Sequence, residues 1–337
     1  AEEEVMAILN LYSQLYHELL AVPVIKGKKS EKEKFAGGLY TTTVEAFVAQ
    51  TGRSIQAATS HCLGQNFAKM FNISFESEEK KKELPWQNSW GLSTRAIGTA
   101  VMIHGDDNGL VLPPRAAEIQ VAFVPIYKKA NKEALNTKMH ELAAVLNAVG
   151  IRTYVDDREN YNPGWKYSHW ETKGVPLRVE LGSRDMGKSS AMAVRRDKAR
   201  GEEGQKTVIS WEGFADSVQK LLDAVHDSLL QKALEVRNAH IKKATTWDEF
   251  MVHLNSGNMV LVPWCGTVES ENEVKKRSAE STVTATDAKF ELTGAAKSLC
   301  IPFAGQPGLD LPELTEETVC FVTGGKATCW ALFGRSY

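Results

Sequence analysis

The chain has 337 residues, enough for two or three domains, and its 43% hydrophobic and 24% charged content suits a chain that buries real cores. No apolar run approaches a membrane span, and Ala1-Glu2-Glu3-Glu4 lacks the basic start of a secretory signal. Forty basic against forty-two acidic residues leave a net charge of −2, so no whole-protein field steers nucleic acid and any RNA contact must be local. Five widely spaced cysteines, an odd number, argue against a disulfide framework and for a reducing, cytosolic setting.

A helix is predicted over residues 2–22, where Val5, Ile8, Leu9, Tyr12, Leu15, Tyr16 and Leu19 share one face, glutamates suit the N-terminal dipole and Pro23 ends it. The basic run Lys26 to Lys32 reads as a solvated loop, with a lid over an anionic substrate as the sharper alternative. Thr41 to Phe47 alternates as a strand, Arg53 to His61 is its partner after a turn at Thr51-Gly52, and Phe71 to Phe75 reads as a third strand. A charged loop then leads into Trp86 to Thr94 and a helix from Arg95 to about Ile103. The first part is therefore α+β.

Gly109 to Pro114 marks a boundary. Beyond it, strands at Ile119–Tyr127, Ile151–Val155, Val175–Leu181 and Ser190–Val194 alternate with helices at Lys132–Val149 and Gly164–Thr172, and a long helix runs from Trp211 to about Lys242. This pattern implies a small α/β domain. From Thr246 onward strands are predicted at Met259–Val262 and Ala331–Phe333, and the polar segment Glu280 to Thr293 reads as a mobile loop.

Several motifs carry candidate chemistry. Gly182 to Ser189 formally matches a Walker A phosphate loop, but the alternating residues after it predict strand–turn–strand, so the structural context is wrong. No cysteines have the close spacing of a zinc site, and Cys62 beside His61 points to the opposite face of its strand. In Arg53 to His61, Ala57 and Ala58 leave space beside Gln56, Thr59 and His61, as a polar ligand pocket requires; a polar edge strand is the alternative. Trp86 to Arg95 places Arg95 on a predicted buried, apolar helix, where a guanidinium needs an anion such as a triphosphate or a glutamate.

Lys32-Glu33-Lys34-Phe35-Ala36-Gly37-Gly38, Tyr40 to Phe47, Ile55-Gln56-Ala57-Ala58-Thr59-Ser60-His61 and Ser89-Trp90-Gly91-Leu92-Ser93-Thr94-Arg95 together resemble the eukaryotic/archaeal-type prolyl-tRNA synthetases. Gly164-Trp165-Lys166-Tyr167, Trp170-Glu171, Lys173 to Pro176 and Leu332 to Tyr337 extend the resemblance over essentially the whole chain.

The resemblance implies a class II aminoacyl-tRNA synthetase: the C-terminal half of an antiparallel α+β catalytic core (residues 1–110), an α/β anticodon-binding domain (111–225) and a small α+β, zinc-binding-like C-terminal domain (226–337). It implies proline–tRNA ligation, with ATP held by Gln56, Thr59, Ser93 and the catalytic Arg95, and magnesium lying beside Gln56. Proline would be bound by Phe35, His61, Trp90 and Gly91, and the anticodon of tRNA(Pro) by Tyr167, Glu171 and Arg178. A cytoplasmic homodimer without membrane contact is expected, with the terminal Tyr337 tucked back toward the catalytic part. Convergence of Gln56 with Thr59 and His61 demands a bulge near Ala57-Ala58, since strict alternation would separate them.

Two departures accompany the resemblance. The chain starts after the family's second motif, so a longer chain is expected to supply the first two motifs. Of four family zinc positions only Cys265 and Cys320 keep their thiols, with Ser270 and Val322 at the others, so zinc is not expected. A non-catalytic tRNA-binding or regulatory module is the alternative function.

Overall fold

The computed structural model describes residues 1–126, 131–280 and 294–337. Apart from Glu280, the loop expected over Glu280 to Thr293 lies outside the described residues. The chain divides into two compact units, one of Ala1–His17, Val22–Thr99 and Leu234–Tyr337, the other of Glu18–Ala21 and Ala100–Ala233.

Helix α1 (Glu2–Glu18) buries Val5, Leu9 and Tyr16. It stops short of Pro23 because Ala21 takes a left-handed φ of 52°. Strands β1 (Ile25–Lys28), β2 (Tyr40–Val48) and β3 (Arg53–Gly64) follow, with Gly52 at φ 60° in the β2–β3 turn. The basic run beginning at Lys26 is thus not a solvated loop. Its first residues form β1, paired to β2, and Lys29 and Ser30 beyond it are buried. Lys29 Nζ lies 2.7 Å from the buried Glu45 carboxylate and donates to the Leu299 carbonyl at 2.6 Å, partners invisible to a local reading.

After α2 (Asn66–Met70) the strand expected over Phe71 to Phe75 does not form: Asn72 turns left-handed at φ 54°, and only the two-residue pair β4 (Phe75–Glu76) and β5 (Lys82–Glu83) is present. The third partner of the β2–β3 hairpin is instead β6 (Gln87–Gly91), followed by α3 (Arg95–His104).

The second unit contains β7 (Val121–Ile126), α4 (Lys132–Ala148), β8 (Thr153–Val155), α5 (Pro163–Thr172), β9 (Leu177–Gly182), α6 (Ser183–Met186), β10 (Ser190–Arg195) and β11 (Lys206–Ser210), and α7 (Phe214–Ala239) begins within it. Its sheet order is β11-β10-β9-β7-β8, with β7 parallel to β8 and β9, and β10 antiparallel to both neighbours. Gly150 at φ 85° ends α4, whose Leu135, Met139 and Leu146 pack on Val121, Phe123 and Val179. The Walker-like octet spans β9's last residue, α6 and the turn into antiparallel β10, which confirms the wrong context for a phosphate loop.

The last elements are β12 (Ile241–Lys243), α8 (Trp247–Asn255), β13 (Met259–Trp264), α9 (Val268–Glu280), β14 (Lys297–Pro302) and β15 (Cys329–Ser336). They rejoin the first unit in one eight-stranded sheet, β12-β13-β15-β14-β1-β2-β3-β6. Residues 1–110 and 226–337, expected as separate domains, therefore share a sheet, with β1 pairing β14 and β15 also pairing β3. Tyr337 does tuck back: its hydroxyl meets Thr51 Oγ1 at 2.8 Å and its amide donates to the Ser54 carbonyl.

Candidate functional site

The required bulge is present. Val44 faces Ala58 and Glu45 faces Gln56, so Ala57 is an extra residue in β3. Exposure follows the interruption: Gln56, Thr59 and His61 are half-buried, whereas Ala57, Ala58 and Ser60 are buried. The three polar side chains thereby keep an opening that a regular two-residue alternation would deny to one of them. The buried Tyr16 hydroxyl donates to the Ala57 carbonyl at 2.9 Å, satisfying a group displaced from the ladder, and burial pushes its pKa up to about 12. Tyr16→Phe is expected to cost roughly 1–3 kcal/mol by orphaning that carbonyl. Urea denaturation checks this, and an unchanged midpoint contradicts it.

Around the bulge, His61 Nδ1 lies 2.9 Å from Thr41 Oγ1 and its Nε2 lies 3.0 Å from Thr59 Oγ1. Burial lowers the His61 pKa, so the ring is neutral near pH 7 and holds one proton between the two hydroxyls. The Phe35 ring packs 5.0 Å from it, and the Phe35 amide donates to Thr41 Oγ1. Across the ladder Gly91 faces Thr59 and Trp90 faces Ser60. A Cβ added at Gly91 would meet no atom of the described residues within 4 Å, so the strand leaves an open floor there.

Arg95 corrects one expectation: it is exposed. Helix α3 turns Arg95, Ile97 and Gly98 outward and buries Ala96, Thr99 and Ala100, so no buried-charge penalty forces a partner on the guanidinium. Its Nη1 donates to the Gln56 carbonyl at 3.1 Å, and its amide donates to Ser93 Oγ at 3.3 Å. An accessible guanidinium at a helix N-terminus, beside an amide and hydroxyls, suits a polyphosphate. Gln56 supplies a single amide oxygen, which suits magnesium that stays largely bound to water and phosphate.

In the second unit Tyr167, Glu171 and Arg178 line one cavity of about 230 Å³. The Arg178 guanidinium stacks 4.2 Å over the Tyr167 ring, and its Nε and Nη2 donate to Glu180 Oε1 at 3.0 and 2.9 Å. Burial, then the Glu180 charge, raises the Tyr167 pKa, so its phenol stays neutral. Arg196 holds the C-terminal end of α5: its Nε donates to the Glu171 carbonyl at 2.9 Å while its other nitrogens fork onto Asp106 at 2.7 and 2.6 Å. That fork keeps the Asp106 carboxyl below the usual range. Glu180 and Arg196 escaped the sequence reading. The signal for Glu180 was available, since Arg178 and Glu180 share a face of an apolar strand.

Cys265, Cys320 and Cys329 share one core cluster in the C-terminal part, whereas Cys300 packs in another. Cys265 follows β13, Cys329 opens β15 opposite Trp264, and the Phe321 amide bonds the Pro263 carbonyl next to Cys320. Burial opposes ionisation of Cys265, but hydrogen bonds from Ser270, Thr267 and Cys320 outweigh it and bring the thiol to about 7. Ser270 is engaged by Trp264 Nε1 at 2.8 Å and Thr267 Oγ1 at 3.0 Å, and Val322 packs against the apolar core. Among the described residues no group of three or more histidine, cysteine or carboxylate side chains is arranged to hold a metal ion. Nor is any described helix long and apolar enough to cross a membrane.

Residues 120–221 match the family model of the anticodon binding domain. The cavity lined by Tyr167, Glu171 and Arg178 lies within that segment. Residues 247–337 match the model described as prolyl-tRNA synthetase, C-terminal. All of the chain is 50% identical to "Proline--tRNA ligase, cytoplasmic" of Arabidopsis thaliana, of which it covers 60%. It is 44% identical to "Proline--tRNA ligase" of Encephalitozoon cuniculi, covering 66%, and 44% identical to "Bifunctional glutamate/proline--tRNA ligase" of Cricetulus griseus, covering 22%. The chain belongs to the prolyl-tRNA synthetase family, and it spans less than two thirds of the length of these relatives.

Proposed function

We propose that the whole protein carrying this chain is a proline–tRNA ligase, and that residues 1–110 contribute the back half of a class II catalytic core. The observation that carries this reading is the bulge at Ala57, which lets Gln56, Thr59 and His61 serve one ligand site beside Arg95. Gln56, Thr59, Ser93 and Arg95 hold ATP, with magnesium beside Gln56 supplying further phosphate neutralisation when bound. Phe35, His61 and Gly91 hold proline: the neutral imidazole and its threonines offer hydrogen bonds, the Phe35 ring covers the pyrrolidine, and the open floor at Gly91 leaves room, whereas Trp90, expected there too, pairs with the buried Ser60 and so stands on the other face of the ladder.

The proline carboxylate then attacks the α-phosphate in line, pyrophosphate leaves, and a ribose hydroxyl of the tRNA terminus displaces AMP from prolyl-adenylate. No side-chain nucleophile is required; positioning and charge neutralisation by Arg95 carry the step. We place the protein in the cytoplasm as a homodimer, the first of these in line with the name of the Arabidopsis relative.

Tyr167, Glu171 and Arg178 read the two guanines of the proline anticodon. Guanine offers N–H donors to a carboxylate on one edge and the O6 and N7 acceptors to an arginine on the other, so this pairing favours it. Arg178→Ala is expected to cut the preference for the cognate anticodon by roughly 5- to 150-fold, the weight of one bidentate base contact, while adenylate formation is unchanged. Comparison of aminoacylation between tRNA(Pro) and anticodon-substituted transcripts tests this, and an unchanged preference removes Arg178 from the site.

A further inference from the structure

The cavity of the anticodon-binding domain has an uneven charge distribution. Its inner arginines are already neutralised: Arg178 by Glu180, Arg196 by Asp106, and Arg195 by Asp197 through contacts of 3.0 and 2.7 Å. Lys198, also in the wall, pairs with Glu202 at 2.8 Å. Two further cations line the same cavity, Arg200 and Lys206; both are exposed and, among the described residues, neither has a carboxylate partner. They stand on the two sides of the β10–β11 hairpin, which crosses from Arg195 to Lys206.

The hairpin loop is organised. The Glu202 carboxylate accepts from Lys198 Nζ at 2.8 Å and from the Ala199 amide at 2.9 Å, and Gln205 Oε1 accepts from the Gly201 amide at 3.0 Å. Gly201 and Gly204 take left-handed φ values of 84° and 75°, which make the tight reversal possible. The loop's acidic residues, Glu202 and Glu203, do not line the cavity. An ordered hairpin thus holds two unpaired cations over a cavity whose interior is balanced.

We propose that Arg200 and Lys206 grip the phosphodiesters of the single-stranded RNA segment whose bases enter the cavity. The inference rests on the anticodon reading given to Tyr167, Glu171 and Arg178. It divides the labour: the neutral interior reads base edges, and the hairpin supplies affinity without sequence preference. Each cation engaged on a single strand releases counterion and contributes about 0.7 to the slope of log K against log salt.

The test is binding of this chain to the anticodon stem-loop of tRNA(Pro), cognate and with the two guanines replaced, across a salt series. The double variant Arg200→Ala/Lys206→Ala is expected to lower the slope by about 1.4, and so to weaken both RNAs by about 25-fold at 0.1 M salt relative to a 1 M reference. The preference between the two RNAs is kept, and Arg200→Lys/Lys206→Arg retains the wild-type slope because charge is conserved. An unchanged slope in the alanine double variant, or wild-type binding without salt dependence, overturns the proposal. Arg178→Ala, measured in parallel, is expected to lose the preference and keep the slope. If it keeps the preference while the double variant loses slope, the base-reading assignment fails and the phosphate grip stands.

Discussion

Arg95→Ala in the whole protein is expected to slow proline activation by roughly 100- to 1000-fold, the weight of one preorganised charge donor lost from a transition state. Arg95 is exposed and, among the described residues, its side chain makes a single hydrogen bond, to the Gln56 carbonyl, so its removal is expected to leave the fold intact. The loss falls on the chemical step, seen as slower ATP–pyrophosphate exchange with an unchanged melting temperature. Binding of tRNA by the second unit is unaffected, since Tyr167, Glu171 and Arg178 line a cavity formed by residues of that unit. Exchange at the wild-type rate would remove the role given to Arg95.

Lys29→Met is expected to destabilise the first unit by roughly 3–5 kcal/mol, because it leaves the Glu45 carboxylate buried without its counter-ion. The pair is almost wholly inaccessible, with side-chain exposures of 6% and 1%. The substitution also removes the donor to the Leu299 carbonyl and leaves the Thr43 hydroxyl, 2.7 Å from Glu45, as a weak substitute. Adding Glu45→Leu is expected to recover most of the loss, since an apolar pair of similar volume replaces the ion pair at little cost. Urea denaturation of the single and double variants measures the cycle. A single variant as stable as the wild type, or a double variant no better than the single, contradicts the account.

The residues that made the site legible and those that hid the fold differ in range. Gln56, Thr59 and His61 sit within one strand, and their chemistry demanded a bulge that the β2–β3 register contains. Helix α4 was legible because its own apolar spacing and the terminal Gly150 mark it. Lys29 misled because a lysine run looks solvated locally, while its partners Glu45 and the Leu299 carbonyl come from distant chain. The same cause hid the shared sheet, since β1 and β14 pair Gly27 with Pro302 and no local pattern records such a pairing. Strand β6 was obscured by its polar, exposed residues, whereas the more apolar Phe71 to Phe75 attracted a strand assignment that the left-handed Asn72 prevents. Arg95 was read as buried because the small apolar residues after it suggest a core helix, although Ile97 and Gly98 face solvent.

The most direct test of proline–tRNA ligation is amino-acid-dependent exchange of pyrophosphate into ATP by the whole protein, followed by transfer to tRNA(Pro). The account predicts exchange that requires proline and magnesium, and transfer of the activated proline to tRNA(Pro). Absence of proline-dependent exchange, or equal exchange with an unrelated amino acid, would contradict it.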